Sequence, residues 1–432
     1  MNSLVKPIKP VSRIKARVSL PGSKSITHRA LIMAALASEP SEIWNPLRSE
    51  DTKLTVRALR QLGADVVWRC NSVSVTPSPD RWRHQENPIL LGNSGTSTRL
   101  LLALVSAGAG NFVLDGTERL RERPVGPVAE ALQLLGARVR WLGSPGYLPV
   151  EIQSEGLNGG RVLVDATKSS QFLSGILIAA PAARDEVTVE WPEPAASFPY
   201  VRITLGMMKE AGIHFEQVAP NRIVIPAPQI YAPRNVTVEG DCSSASYFWG
   251  AAALTGGEVF TSPVSPDSLQ GDCRFLEVLE KMGCAVEWEA EGVRVRGPEH
   301  LLPIDIDMNE MPDTVPTLAV LAAFADGTTR IRNVAHLRIK ESNRLEAVSA
   351  GLGLLSVRTE ELQDGLIIHG GNPSPPREPI SAFDDHRIAM AFALAGLRIP
   401  GVEIEGADSV SKSFPTFWEL FDTMGTESHN EV

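Results

Sequence analysis

The sequence predicts a mixed α/β protein that is assembled from six copies of one unit of about 72 residues. Three observations lead to this prediction: an amphipathic helix that ends at a glycine, two short alternating apolar segments that usually follow it, and a second, apolar helix earlier in each copy. The 432 residues provide for roughly two to four domains with cores of their own. Repetition alone leaves two architectures open, a solenoid and a pair of closed domains with three copies each.

The glycine that ends the amphipathic helix recurs at intervals of 70 to 76 residues. The four clear copies and the two weaker ones centre, in chain order, on Gly63, Gly136, Gly212, Gly283, Gly353 and Gly425. Because a helix often ends in a left-handed residue, and glycine adopts that conformation without strain, we expect a positive φ at each position. The segments that follow, for example residues 285–288 and 292–295, predict the two strands of a hairpin.

The second helix of each copy is rich in small residues and apolar on nearly all sides. These helices are predicted at residues 25–36, 97–107, 170–180, 244–254, 314–324 and 386–397. A helix without a polar face belongs in a core. We therefore expect all six helices to be buried, with the sheets packed around them.

The composition is that of a folded globular protein, since 43% of the residues are apolar and 21% are charged. The net charge is −10, so a nucleic acid or an anionic membrane would need a local basic patch. No run of about 18 apolar residues occurs that would predict a transmembrane helix. We expect a cytoplasmic protein that binds neither nucleic acid nor membrane.

The cysteines favour a reducing compartment. They contain no Cys-x-x-Cys pair, and most of them lie in short apolar contexts, so they predict buried thiols, with neither a zinc site nor a disulfide framework. The four are Cys70, Cys242, Cys273 and Cys284.

Several apolar helices begin with residues that are unusual at that position. A helix N-terminus carries partial positive charge, so stability favours acidic residues there and disfavours basic ones. Here the starts combine glycine, hydroxyl groups and cations, at residues 21–29, 92–99, 168–171, 385–387 and 411–415. Such starts form anion sites, because backbone N–H groups point at the ligand. An ordinary Ser or Thr N-cap beside a solvated cation explains any one of them, but five together indicate anionic ligands.

Two further clusters of charge lie between these helices. Residues 119–124 carry three arginines and read either as part of an anion site or as a charged surface loop. In residues 338–344 a continuing helix would set Glu341 among cations and make Lys340 and Arg344 neighbours, which is also the pattern of a solvated salt-bridge face. Asp313 directly precedes an apolar helix that it could cap. Separated carboxylates and a lysine beside anion sites are typical of group transfer between phosphorylated or carboxylated small molecules.

In this order the motifs resemble those of the 3-phosphoshikimate 1-carboxyvinyltransferase family, also called the 5-enolpyruvylshikimate-3-phosphate synthases. The similar stretches span nearly the whole chain and are Leu20-Pro21-Gly22-Ser23-Lys24-Ser25, Gly92-Asn93-Ser94-Gly95-Thr96, residues 115–124, Ser169-Ser170-Gln171, residues 241–248, Pro312-Asp313, residues 338–344, Asp385-His386-Arg387 and Lys412-Ser413-Phe414-Pro415.

The resemblance implies a two-domain inside-out α/β barrel with six β-α-β-α-β-β repeats, three in each domain. One domain would hold residues 22–240 and the other residues 1–21 plus 241–432, with the active site in the cleft between the domains. The implied reaction transfers the enolpyruvyl group of phosphoenolpyruvate to the 5-hydroxyl of shikimate 3-phosphate and releases phosphate, in the shikimate pathway to chorismate. No metal and no organic cofactor is implied, and the family favours a monomer.

The resemblance also assigns residues to the two substrates. Those for shikimate 3-phosphate are Lys24, Ser25, Arg29, Ser169, Ser170, Gln171, Ser197, Asp313, His336 and Lys340. Those for phosphoenolpyruvate are Lys24, Gly95, Arg123, Gln171, Arg344, Arg387 and Lys412. Asp313 would accept the proton of the 5-hydroxyl, while Glu341 and Lys24 would handle protons at the enol methylene and the leaving phosphate.

Some positions depart from the commonest family pattern. His28 and His336 stand where asparagine is frequent, and Asn343 replaces a frequent aspartate. Leu100 stands where proline is often found, which leaves the sensitivity to glyphosate open. None of these changes removes an implied acid or base.

Two other functions compete with this prediction. A sister enolpyruvyl transferase acts on UDP-N-acetylglucosamine and normally carries a cysteine in its reactive loop, whereas residues 119–124 contain none. A non-catalytic repeat scaffold would explain the period but not the cations at the helix starts.

Overall fold

The structure is a computed structural model that describes residues 4–80, 82 and 85–424. Helices and short strands alternate along the chain. The helices in these ranges are α1 (Lys24–Ala35), α2 (Glu50–Gln61), α3 (Gly95–Ser106), α4 (Glu118–Arg121), α5 (Gly126–Leu134), α6 (Ser170–Ala179), α7 (Pro199–Glu210), α8 (Cys242–Thr255), α9 (Phe275–Lys281), α10 (Val315–Ala323), α11 (Arg344–Leu354), α12 (His386–Gly396) and α13 (Phe417–Thr423). Short 3-10 helices are found at Ala180–Ala182, Gly271–Arg274, Pro312–Thr314, Ala335–Ile339 and Ala407–Lys412.

The strands are short, between two and seven residues each. They are β1 (Val5–Pro7), β2 (Lys15–Ser19), β3 (Ser41–Trp44), β4 (Asp65–Trp68), β5 (Ser72–Thr76), β6 (Ile89–Leu90), β7 (Ala109–Asp115), β8 (Arg138–Trp141), β9 (Val150–Glu155), β10 (Gly160–Leu163), β11 (Val187–Glu190), β12 (Glu216–Ala219), β13 (Arg222–Ile225), β14 (Asn235–Thr237), β15 (Glu258–Ser262), β16 (Ala285–Glu289), β17 (Gly292–Arg296), β18 (Asp305–Asp307), β19 (Thr328–Arg332), β20 (Arg358–Leu362), β21 (Gly365–His369), β22 (Ile380–Ser381) and β23 (Glu403–Glu405).

The strands of the described residues form six small sheets. Five of them have four strands with one common pattern, a parallel pair followed by two antiparallel pairings, as in the order β10-β11-β13-β12. The others of this kind are β14-β3-β5-β4, β6-β7-β9-β8, β2-β15-β17-β16 and β18-β19-β21-β20. The sixth sheet has the order β1-β23-β22. The repeat reads β-α-β-α-β-β, for example β10, α6, β11, α7, β12 and β13, which confirms the predicted fold class.

The chain divides into two compact units. The first unit is Gly22–Val238, and the second unit is Met1–Pro21 together with Glu239–Val432. In the first unit the late strand β14 pairs in parallel with the early strand β3. In the second unit β2 pairs in parallel with β15. Each unit therefore completes a sheet of its own with a strand that is distant in sequence, which a solenoid of nearest neighbours does not do.

The apolar helices are buried, as predicted. They are α1, α3, α6, α8, α10 and α12, three in each unit. All fourteen residues of α8 are buried, and so is every residue of α10 and α12. Each unit encloses its own apolar core around its three helices. The polar side chains at the starts of these helices are held in place by that packing.

The helix-terminal glycines confirm four of the predicted positions. Gly63, Gly136, Gly212 and Gly283 have φ between 80° and 103°. The prediction is wrong at Gly353, which lies inside α11. Ser356 adopts the left-handed conformation instead, with φ 60°. A glycine permits a left-handed residue without requiring it, so α11 continues past Gly353 to Leu354. Gly425 lies outside the described residues.

The cysteines differ from the prediction in one respect. The sulfur atoms of Cys242 and Cys273 are bonded, with Cα atoms 5.2 Å apart, so the expectation that these two are free thiols is wrong. Their separation of 31 residues gave no signal, because a pairing of that kind depends on where α8 and the following 3-10 helix meet. Cys70 is free and exposed, and Cys284 is free and buried. Among the described helices, none is long and apolar enough to cross a membrane.

Candidate active site

Lys24 is the first residue of α1 in the first unit. No acidic residue occupies the first turn of this helix, although stability alone would favour one. Lys24 Nζ lies 3.3 Å from Asp51 Oδ2 on α2, and the two side chains are 12% and 4% exposed. The ammonium group is thereby held beside the backbone N–H groups of the helix start, where an anion is also stabilised.

Arg29 lies one turn further along α1 and is almost completely buried. Its guanidinium group donates to Thr204 Oγ1 at 2.7 Å, to Ser174 Oγ and to the carbonyl oxygen of Tyr200 at 3.0 Å each, and to that of Ser25 at 2.9 Å. Burial lowers the pKa of Arg29 to about 10, so it remains charged at neutral pH. The side chain joins α1 to α6 and α7 and carries its charge into the interior.

Ser25 and Ser197 lie close to this arginine. Ser25 follows Lys24 in the first turn of α1 and is partly buried. Ser197 is buried, with φ 55°, and its carbonyl oxygen accepts from the backbone N–H of Tyr200 at 3.2 Å. Because the carbonyl oxygen of Tyr200 also accepts from Arg29, Ser197 is connected to Arg29 of α1 through one intermediate residue.

Gly95 opens α3 and lies beneath two arginines. A Cβ atom at Gly95 would lie 2.6 Å from Arg123 Nη2 and 2.8 Å from Arg99 Nη1. Arg123 also donates to the carbonyl oxygen of Asn93 at 3.2 Å. Arg99 and Arg123 are each 3% exposed. The missing side chain of Gly95 is what allows both guanidinium groups to approach this helix start.

Gln171 connects the starts of α3 and α6. Its Nε2 donates to Thr96 Oγ1 at 2.8 Å, and its Oε1 accepts from Arg99 Nη1 at 2.7 Å. Ser169 caps α6 by accepting from the N–H of Gln171 at 3.3 Å, and Ser170 is the first residue of that helix. The structure thus brings the predicted residues of both helix starts together.

In the second unit, Asp313 binds two arginines. Its Oδ1 lies 2.9 Å from Arg344 Nη1, and its Oδ2 lies 2.6 Å from Arg387 Nη2. Asp313 does not cap the following helix, since α10 has Thr314 at its N-cap and no side-chain cap bond there. That prediction is wrong because both carboxylate oxygens point to the arginines.

Arg344 contacts two further carboxylates. Its Nη2 lies 2.8 Å from Glu341 Oε2, and its Nε lies 2.8 Å from Asp385 Oδ2. Asp385 is completely buried and caps α12, and it also accepts from Ser342 Oγ at 3.0 Å and from the backbone N–H of Arg387 at 2.9 Å. The guanidinium group of Arg344 therefore binds three carboxylates. One of them, that of Asp385, also caps α12, the helix that carries Arg387.

The backbone that leads to Arg344 differs from the predicted helix over residues 338–344. The 3-10 helix Ala335–Ile339 ends before Lys340, which is extended with φ −88° and ψ −153°, and α11 begins only at Arg344. Arg338 forms its ion pair with Glu361 and not with Glu341. Although the helix is interrupted, Glu341 still contacts Arg344, and Ser342 donates to the buried Asp385.

The arginines set the charge state of Asp313. Burial on its own would raise the pKa of this carboxyl group, but Arg387 and Arg344 outweigh it and hold the pKa well below its usual range. Burial likewise opposes the charge on Arg344, yet Asp385, Glu341 and Asp313 raise its pKa. Asp313 is therefore ionised at neutral pH, in the form that accepts a proton.

His336, Lys340 and Lys412 complete the predicted set in this unit. Burial, and next Lys340, lower the pKa of His336 to about 3, and Asp313 is among the groups that act on it. Lys340 also acts on Asp313. Lys412 is 7% exposed and ends the 3-10 helix Ala407–Lys412, which packs on α12. His336 is neutral at physiological pH and contributes no charge to the cluster.

Some residues at these two clusters were missed by the sequence analysis. Asp385 lies in a recognised segment without an assigned role, and its signal is that of an acidic N-cap two residues before Arg387. Arg99 and Thr96 lie in a recognised segment without an assigned role. Tyr247, whose hydroxyl lies 3.5 Å from Arg387 Nη1, is an aromatic residue in an apolar helix and gave no signal. In the described part of the chain, no group of three or more His, Cys, Asp or Glu residues could hold a metal ion.

Comparison with known proteins identifies the family. The sequence profile described as EPSP synthase (3-phosphoshikimate 1-carboxyvinyltransferase) matches residues 8–421. The chain belongs to the EPSP synthase family. A 3-phosphoshikimate 1-carboxyvinyltransferase from Syntrophobacter fumaroxidans is 61% identical over 419 residues, which are 97% of this chain and 99% of that protein. Another from Sulfurovum sp. is 40% identical over 99% of this chain and all of that protein.

Solved structures of EPSP synthases share the fold. One from Acinetobacter baumannii superposes with a TM-score of 0.81 at 30% identity and covers 98% of both chains. The enolpyruvyl transferase NikO from Streptomyces tendae reaches a TM-score of 0.80 over 98% of both chains, and at 19% identity this likeness concerns the fold alone. The predicted family, the predicted enzyme class and the two-domain α/β fold of the EPSP synthases are confirmed.

Proposed function

We propose that the side chains at the helix starts of the first unit and those around Asp313 in the second unit act on phosphoenolpyruvate and shikimate 3-phosphate. The observation that carries the proposal is the cluster in which Asp313 is bound by Arg344 and Arg387 beside Glu341. It combines a carboxylate that can accept a proton with guanidinium groups that suit a carboxylate or phosphate ligand.

The cationic helix starts would bind the anionic groups. For phosphoenolpyruvate we propose backbone N–H groups at Gly95 and the side chains Lys24, Arg123, Gln171, Arg344, Arg387 and Lys412. For shikimate 3-phosphate we propose Lys24, Ser25, Arg29, Ser169, Ser170, Gln171, Ser197, Asp313, His336 and Lys340. Arginine suits this role because its planar fork pairs with two oxygens of a carboxylate or phosphate at once.

The reaction would proceed by addition and elimination. The 5-hydroxyl oxygen bonds to C2 of phosphoenolpyruvate, its proton passes to Asp313, and C3 gains a proton from Lys24 or Glu341 to give a tetrahedral intermediate. The group that protonated C3 then takes a proton back from it, and phosphate leaves C2, which yields the enolpyruvyl ether. Cations around the phosphate stabilise the negative charge of the leaving group.

The ion pairs of Asp313 bear on this proton transfer. Two guanidinium groups keep the carboxylate ionised but also make it a weak base. A substrate carboxylate bound to the same arginines would place negative charge beside Asp313 and raise its pKa. Proton acceptance would then become favourable when phosphoenolpyruvate is in place.

The experiment that tests the function measures phosphate released from phosphoenolpyruvate by the purified protein. One reaction contains shikimate 3-phosphate, a second contains UDP-N-acetylglucosamine, and a third contains neither. Release in the first reaction alone is the expected result. Release only with the nucleotide sugar would assign the chain to the sister activity, and no release in any reaction would favour the scaffold.

Location and assembly belong to the same proposal. We expect the protein to act in the cytoplasm and to act as a monomer. Separate cores in the two units support a chain that folds without a partner. Light scattering coupled to size exclusion should give the mass of one chain, 46.7 kDa, and twice that mass would contradict the monomer.

A further inference from the structure

A continuous chain of polar side chains runs through the core of the first unit. His28 Nδ1 on α1 lies 2.8 Å from Thr55 Oγ1 on α2, which lies 2.8 Å from Ser97 Oγ on α3. Ser97 Oγ lies 2.7 Å from the Oγ of Ser94, the N-cap of α3. We call these four residues the hydroxyl chain. The hydroxyl chain connects three helices: His28 and Thr55 are 27 residues apart in the sequence, and Thr55 and Ser97 are 42 residues apart.

The hydroxyl chain is shielded from solvent along its whole length. All four of its residues have a relative exposure of 0%. The surrounding core is apolar, with Leu31, Leu59 and Leu101 on the same three helices buried to the same extent. Apolar side chains of similar volume would stabilise such a site at least as well, because a buried hydroxyl group must regain inside the protein the hydrogen bonds it lost to water. Polar groups that satisfy one another instead favour one relative arrangement of the elements that carry them.

The ends of the hydroxyl chain lie next to proposed ligand contacts. His28 is one helical turn after Lys24, and Ser94 directly precedes Gly95. Ser97 Oγ also lies 3.3 Å from the carbonyl oxygen of Asp51, the residue that pairs with Lys24. The start of α1 and the start of α3 are therefore connected by hydrogen bonds that ligand atoms do not need to touch.

We propose that Thr55, at the centre of the hydroxyl chain, is a positioning residue that sets the start of α3 relative to Lys24 and thereby serves the binding of phosphoenolpyruvate. The inference rests on the proposed function. Thr55 has this role because it is the one member that bonds to both of the other helices. It acts through Lys24 and Gly95 and has no contact of its own with the substrates.

The protonation state of His28 suits this role. Burial is the main cause that lowers the pKa of His28 to about 3, so its ring is neutral at physiological pH. A neutral ring nitrogen forms one hydrogen bond with Thr55 as donor or acceptor, and either direction can continue through the hydroxyl groups. Nε2 has no hydrogen-bond partner among the described residues, so the bond to Thr55 is the one that orients the ring.

The test compares Thr55→Val with Thr55→Ser. Valine keeps the shape of threonine but removes both hydrogen bonds, whereas serine keeps the hydroxyl group. We expect Thr55→Val to raise the KM for phosphoenolpyruvate by about tenfold, since small displacements of binding groups have large effects, with less than about a twofold change in the KM for shikimate 3-phosphate. Thr55→Ser should restore most of the wild-type value.

Thr98→Val is the matched control. Thr98 lies on α3 next to Ser97, is equally buried, and bonds through Oγ1 to the carbonyl oxygen of Ser94 at 2.8 Å, within its own helix. This variant should leave both KM values unchanged. If Thr55→Val does not fold, Ser97→Ala breaks the same chain and replaces it in the comparison.

The outcomes separate this inference from the function on which it rests. Wild-type phosphate release with shikimate 3-phosphate is measured first, and its absence would remove the proposed function itself. With an active wild type, a selective rise in the KM for phosphoenolpyruvate that serine rescues supports the positioning role. Equal changes in both KM values, or an equal effect of Thr98→Val, would overturn it.

Discussion

In the first unit Arg29 and Arg123 donate to hydroxyl and carbonyl oxygens, whereas in the second unit Arg344 and Arg387 donate to carboxylates. An arginine that is held by neutral oxygens keeps its full positive charge for a ligand. The positive charge of an arginine that is paired with Asp313 is largely offset by the carboxylate. The arginine in turn keeps that carboxylate ionised. We therefore expect the arginines of the first unit to serve anion binding alone, and those of the second unit also to control the proton acceptor Asp313.

The largest effect is expected when the carboxylate at the centre of the second unit's arginine cluster is removed. Asp313→Asn should lower kcat by about a hundredfold or more, because a positioned base is worth that much. The KM for phosphoenolpyruvate should not rise, since both arginines lose a competing carboxylate. The control is Asp305→Asn, which removes an exposed ion pair with Arg332 on the same unit. Steady-state phosphate release measures both variants, and a kcat near that of the wild type would remove Asp313 from this role.

A smaller effect is expected when an arginine of the second cluster is removed. Arg387→Ala should raise the KM for phosphoenolpyruvate by about 10- to 100-fold, the range for a charge-assisted pair, and should raise the KM for shikimate 3-phosphate much less. Varying each substrate at saturation of the other gives the two values. Equal increases would show that Arg387 supports the structure of the whole site and does not select one substrate.

In the first unit the corresponding change is at Gly95. Gly95→Ala would bring a methyl group to within 2.6 Å of Arg123 Nη2, so this guanidinium group must move, and we expect the KM for phosphoenolpyruvate to rise by about tenfold. Gly353→Ala is the control, because a Cβ atom there meets nothing within 4 Å. The idea fails if the two variants have the same KM.

The smallest effect concerns the two buried histidines, one in each unit. The pKa of His28 and that of His336 are both lowered to about 3, while the unfolded chain binds protons near pH 6.5. Above pH 6.5 the rings are neutral in both states and the free energy of unfolding is not affected. As the pH falls from 6.5 toward 3, the unfolded chain binds protons that the folded chain does not, so the free energy of unfolding decreases progressively. Between pH 7.5 and pH 5.5 we expect each histidine to lower the free energy of unfolding by about 1 kcal/mol.

Thermal unfolding at these two pH values measures the effect. His28→Asn and His336→Asn should each reduce the loss of Tm at pH 5.5 relative to the wild type. His214→Asn is the control, since this side chain is exposed. A wild-type Tm that does not fall between pH 7.5 and 5.5 would contradict the assignment of two neutral, buried rings.

Much of the local structure could be predicted from the sequence. The hairpin β16–β17 follows from alternating residues, because Val293 and Val295 are buried whereas Arg294 is partly exposed and Arg296 is exposed. The apolar helices follow from periodicity in the same way. At Gly353 the same reasoning failed, because a glycine permits a left-handed residue without requiring it, and Ser356 adopts that conformation instead.

The candidate site could be predicted in part. The glycine-rich and cationic helix starts indicated anion binding, and the resemblance supplied roles for individual residues. Asp385 was missed although it holds Arg344 and caps α12. Its importance depends on complete burial among charged partners, and burial of a polar side chain has no signature in a local sequence pattern.

The sequence by itself determined the repeat, the helices and strands within it and the chemical character of the helix starts, because these depend on residues close together along the chain. Only the tertiary structure decided which charges meet. Asp313 binds Arg387 across 74 residues, and Arg29 binds Thr204 across 175 residues. Such pairs form where separate elements pack in one core, and the packing of a whole unit selects them through burial and hydrogen bonding that no short segment contains.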